Sequence, residues 1–277
     1  MRQAIARLGL AAADGVLGAD AAYALAGRLA GGVLRGATPR LARATAEAFP
    51  DRDSRWIART VRAQLCHRAW LALDKHTLPT LSGDALRARV DGLEGFESVL
   101  ASALDAGRGA ILYSIHYGRP LVLPPLLASL SVPSVRLVAP RARDAAPDAI
   151  VVGTDATRAE MVAALAGNRV LTLLVDTPLA RQTVSAPFLG ARLPAAVGLA
   201  AVVWESSAAL VAVTVRSLAP FRFALAARTV ALTDESMAPA EVGRALLEPF
   251  EDGVRADPGG WYGVNRVFRA VTSGFPV

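Results

Sequence analysis

From Ala110 onward the chain repeats one pattern, a short and almost wholly apolar run followed by a stretch with apolar residues at helical spacing. The runs are "AILYSI" (110–115), "SVRLVA" (134–139), "RVLTLLV" (169–175), "ALVAVTV" (209–215) and "FRFALAARTVAL" (221–232), with helical stretches at about 155–166 and 195–206. Unbroken apolarity marks strands buried on both faces, and strands alternating with helices mark a mostly parallel sheet. Residues 81–277 are therefore read as an α/β domain with a mostly parallel central sheet flanked by helices.

Residues 1–80 read differently, as an N-terminal helical region belonging to the same domain. "TPRLARATAEAF" and "DRDSRWIARTVRAQLCHRAWLALDKH" repeat apolar residues at helical intervals, with no strand signal. The first 35 residues are expected to be helical and peripheral, because Asp14, Asp20 and Arg28 break their apolar runs. A spanning helix needs about 20 mostly apolar residues. The opening also lacks the long apolar core of a signal peptide.

The net charge of +6 rests almost wholly on arginine, Lys75 being the one lysine. Aromatic residues are only 6% and the arginines are scattered, which argues against nucleic acid as a partner. A basic surface suits anionic lipid headgroups or an acidic carrier protein. The single cysteine, Cys66, excludes a disulfide framework and a cysteine-rich metal site. No metal-ligand spacing and no Gly-rich phosphate cradle occurs, so no metal or cofactor is expected.

Ligands of open α/β sheets bind beyond the carboxyl ends of the strands. Two polar residues stand at such ends, His116 after "ILYSI" and Asp176 after "VLTLLV". Imidazole is the side chain best suited to take a proton near neutrality. Of the other histidines, His67 and His76 lie in helical texture and read as packing or surface residues. Gly118 and the amides after it are candidate oxyanion donors. Asp176 is also a plausible cap for the loop "DTPLARQ", in which Arg181 is the nearest cation able to hold a phosphate or carboxylate. Ser114 lacks the G-x-S-x-G elbow of a serine hydrolase.

The order of these features resembles the lysophospholipid acyltransferase superfamily, in its bacterial lipid A biosynthesis lauroyl/myristoyl acyltransferase branch. Four blocks carry the resemblance over most of the chain: "ATAEAFPDRDSRWIARTVRAQL", "VDGLEGFESVLASALDAGRGAILYSIHYGRP", "LLVDTPLARQTVSAPFLGARLPAAVGLAAV" and "PGGWYGVNRVFR". The resemblance implies transfer of an acyl group from an acyl carrier protein or coenzyme A thioester to a hydroxyl, at the cytoplasmic face of the cell membrane; the altered motif described below also admits an amine acceptor, which needs less help from a base. The resemblance makes His116 the general base; the residues around it, Tyr117, Gly118, Arg119 and Arg181, are read as the substrate side.

One position departs from the family. The acid of its H-x4-D/E motif is replaced by Leu121, and the Asn-Trp before it by Arg119 and Pro120. An active enzyme then needs a carboxylate from elsewhere, for which Asp74 is the first candidate and Asp176 the second. The alternatives are a histidine acting alone, a degenerate relative that binds lipid or carrier protein, and a thioesterase-like hydrolase.

Overall fold

The computed structural model describes residues 18–33, 38–140, 149–177, 180, 182–233 and 235–264. Three helices open the described chain: α1 (Ala19–Val33), α2 (Thr38–Ala48) and the long α3 (Ser54–Thr77). α3 begins where the Asp53 carboxylate accepts the Trp56 amide at 2.6 Å, and it ends with Lys75 and His76 near its terminal carbonyls. α1 lies along α3, burying Ala22, Tyr23, Ala26 and Ala30. The part of the N-terminal expectation that falls on residues 1–17 lies outside the described residues.

A short helix α4 (Gly83–Arg87) and strand β1 (Val90–Asp91) lead into α5 (Leu93–Leu104) and β2 (Ala110–Ser114). The chain continues through α6 (Leu123–Ser129), β3 (Ser134–Val138), β4 (Ile150–Val151), α7 (Thr157–Ala166) and β5 (Val170–Leu174). A hairpin of β6 (Val184–Phe188) and β7 (Ala191–Ala195) precedes α8 (Leu199–Ser206). The paired strands β8 (Ala209–Ala219) and β9 (Arg222–Thr229) are followed by α9 (Pro239–Leu247) and α10 (Glu251–Ala256).

Seven strands form one sheet in the order β1-β9-β8-β2-β5-β3-β4. Every pair is parallel except β8–β9. Only Pro220 and Phe221 separate those two strands, too short a link for the crossover that parallel pairing requires. The expected α/β sheet is thus present, and the run at 221–232 enters it antiparallel. The β6–β7 hairpin, which the apolar-run pattern did not anticipate, stands outside the sheet against α9.

β2 is buried along its whole length. Its alternate side chains feed two apolar layers, Ile111 and Tyr113 on one face of the sheet and Ala110 and Leu112 on the other. From the β2–β5 pair the chain leaves in opposite directions, toward β3 on one side and β8 on the other. This reversal opens a crevice at the carboxyl ends of β2 and β5, where ligands of such sheets bind.

Candidate active site

β2 and β5 pair in parallel with Ser114 opposite Leu174. Two residues further along each strand direction stand His116 and Asp176, so the register itself sets them side by side. The Val175 amide still donates to the Ser114 carbonyl at 2.9 Å, continuing the ladder to the edge of the site. His116 Nδ1 lies 2.6 Å from Asp176 Oδ1. The His116 amide also donates to both oxygens of that carboxylate at 3.0 Å. Asp176 is fully buried, whereas the imidazole is 18% exposed. A carboxylate facing Nδ1 fixes the proton there and makes Nε2 the basic nitrogen.

The exposed part of the ring lines a cavity of about 420 Å3 at the carboxyl ends of β3, β4 and β5. Leu137, Leu173 and Leu174 line it from the sheet, Met161 from α7, and Leu199 and Val202 from α8. Thr154, Asp155, Thr157 and Gln182 supply polar lining. A mostly apolar cleft with a few convergent polar groups is the usual form of a small-molecule site.

The segment Pro258–Val264 closes the other side of His116. The Gly263 amide donates to the His116 carbonyl at 2.7 Å. A Cβ at Gly263 would stand 2.7 Å from His116 Cβ and 2.8 Å from Asp176 Oδ2, so only glycine lets the chain pass this close. The Tyr262 ring meets the His116 ring edge-on, with centroids 5.3 Å apart. Trp261 pairs with Tyr117 through the backbone. Gly263 is a site residue that carries no titratable group and so stands outside the sequence-based candidates. Its signal was the glycine-rich "PGGWYG".

Asp74 is not the replacement acid. Its carboxylate binds Arg119 through Nε at 2.5 Å and through Nη2, and accepts the Tyr23 hydroxyl at 2.5 Å. Arg119 is fully buried, packed over the rings of Tyr23, Trp70 and Phe223, and also donates to Ser217 Oγ. It is a packed structural cation, which corrects the expectation that it faces substrate. Burial, aided by the Asp74 charge, raises the Tyr23 phenol far above its ordinary pKa, so it remains a donor.

Tyr117 and Gly118 are corrected in the same way. Tyr117 is buried and its hydroxyl donates to the Gly253 carbonyl. The amides of Tyr117, Gly118 and Arg119 donate to the carbonyls of Ile115, Gly260 and Val215. With the His116 amide on Asp176, this turn has already committed the N–H groups that were expected to meet an oxyanion. Arg181 lies outside the described residues.

Among the described residues no group of three or more His, Cys, Asp or Glu gathers as a metal site would require. No described helix is long and apolar enough to cross a membrane. Compared with models of known protein families and with curated protein sequences, the chain matches none.

Proposed function

We propose that the protein is an acyltransferase that moves an acyl group from an acyl carrier protein or coenzyme A thioester to a hydroxyl or amine acceptor. The observation that carries this reading is the 2.6 Å contact between His116 Nδ1 and Asp176 at the edge of an apolar cavity. His116 Nε2 takes the acceptor's proton as its oxygen or nitrogen attacks the thioester carbonyl. The tetrahedral intermediate then breaks its C–S bond, and the imidazolium returns the proton to the departing thiolate. Asp176 holds the ring in the reactive tautomer and stabilises its transient charge. The apolar cavity receives the acyl chain. No metal or organic cofactor takes part in this scheme.

The same reading puts the protein at the inner face of the cell membrane as a peripheral protein. Leu25 and Leu29 project from α1 with 40% and 42% of their surface exposed, and the excess of arginine favours an anionic surface.

The test is thiol release from acyl-coenzyme A and acyl carrier protein donors, with the acylated product followed by mass spectrometry. Release that depends on a hydroxyl or amine acceptor and disappears in His116→Ala is expected. Release without an acceptor would make the protein a thioesterase, and no release from either donor would defeat the reading.

A further inference from the structure

His116 rides on a turn built around a residue with unusual freedom. Gly118 has φ of +65°, in the left-handed region, and a Cβ there would come within 2.0 Å of the Val215 carbonyl oxygen. Glycine is required for the close approach, yet glycine also lets a turn relax into other shapes. Something outside the turn must hold it.

α3 does so at two points. His67 Nε2 lies 2.7 Å from the Gly118 carbonyl, and a carbonyl can only accept, so the ring donates. Asp74 grips the side chain of the next residue, Arg119, through Nε and Nη2. The two α3 residues are seven apart, about two helical turns, and so face the same way. Both are nearly sealed from solvent, at 3% and 1% exposure. Neither contacts Asp176 in a hydrogen bond. Both reach the site through the turn, and His67 also stacks on Tyr262, with centroids 6.0 Å apart, whose ring meets that of His116. The His67→Gln variant below separates the hydrogen bond from this stacking.

We propose that His67 and the Asp74–Arg119 pair are positioning residues that clamp the turn of residues 116–119 and so keep the His116 ring paired with Asp176. The kinetic consequence rests on the acyltransferase reading. The geometric one does not.

The experiment is proton NMR of the full-length chain with nitrogen-15 histidine. The His116 Nδ1 proton, held by Asp176, is assigned by its disappearance in His116→Asn. In His67→Leu this proton should move upfield and exchange with water at least tenfold faster. In His67→Gln, whose amide can donate to the same carbonyl, it should keep the wild-type shift and protection. Asp74→Leu combined with Arg119→Met removes the second clamp point without stranding a charge, and should loosen the proton as His67→Leu does. Circular dichroism confirms that each variant compared is folded, and the double variant decides the matter if His67→Leu does not fold.

Wild-type position and protection of the His116 proton in the folded variants would overturn the clamp, as would absence of a protected His116 proton in the wild type. If the protein turns over thioesters, kcat should fall by up to about 10²-fold in the loosened variants with KM for the donor unchanged, the scale expected of a misplaced reactive group. A wild type that shows the expected NMR behaviour and no turnover keeps the clamp and defeats the acyltransferase reading.

Discussion

Two aspartates pair with bases on either side of one turn, and they differ in what the partner can do. Asp74 and Arg119 are both shut inside the protein, each side chain 0% exposed. Asp176 is equally buried, but its partner His116 presents 18% of its side chain to a cavity. A guanidinium keeps its charge at any ordinary pH, so the first pair can only hold parts together. An imidazole can gain and lose a proton, so the second can do chemistry. Pairing with a carboxylate is common to both. Access and a titrating partner distinguish the reactive one.

Single substitutions should separate the two pairs most strongly in stability. Arg119→Met strands the Asp74 carboxylate in the core and should cost about 3–5 kcal/mol in urea denaturation, whereas adding Asp74→Leu should recover most of that loss. Asp176→Asn keeps a polar group that can still pair with the His116 ring and should cost less than about 2 kcal/mol. Equal losses in Arg119→Met and Asp176→Asn would erase the distinction.

Acid should act on the clamp that joins them. Burial, with Arg119 nearby, pushes His67 down to about 4 from the ordinary 6.5, so the unfolded chain binds this proton more readily than the folded one. The stabilisation is therefore full above about pH 6.5 and is lost as pH falls toward 4, about 3 kcal/mol from this residue. The measurement is denaturant unfolding at steps of pH, and His67→Gln should flatten the profile in that window.

Crowding the reactive pair should come next. Gly263→Ala places a Cβ within 3 Å of His116 and Asp176 and should cost about 1–3 kcal/mol, read as a lowered melting temperature. The smallest effect belongs to the surface. Leu25→Ser with Leu29→Ser should leave stability within about 0.5 kcal/mol per substitution and reduce co-sedimentation with anionic vesicles.

The sheet was readable from the sequence because burial on both faces writes itself as unbroken apolar runs, and "AILYSI" and "VLTLLV" sit where β2 and β5 form. The reactive pair was half readable. His116 and Asp176 each follow such a run by the same interval, and parallel register converts that equality into contact. Asp74 ends the apolar run "AWLAL" of a helix preceding β2 and so ranks ahead of Asp176 by sequence, but a carboxylate's partner depends on packing between α1, α3 and the sheet, which no local pattern records. Arg119 looked like a substrate cation for the same reason. Two strand features left signals that the reading of apolar runs passed over. The two-residue link Pro220–Phe221 demands an antiparallel return, and Leu189–Gly190 between β6 and β7 marks a tight hairpin.

The most direct measurement compares the two aspartates in one assay: steady-state acyl transfer from a thioester by the wild type, by Asp176→Asn, and by Asp74→Leu with Arg119→Met. By analogy with the orienting aspartate of a serine protease triad, where neutralisation costs about 10⁴-fold, Asp176→Asn should lower kcat by about 10³-fold or more with KM little changed. The double variant should lose no more than about 10²-fold. Wild-type turnover in Asp176→Asn, or a double variant that falls further than Asp176→Asn while remaining folded, would contradict the assignment of Asp176 as the acid that serves His116.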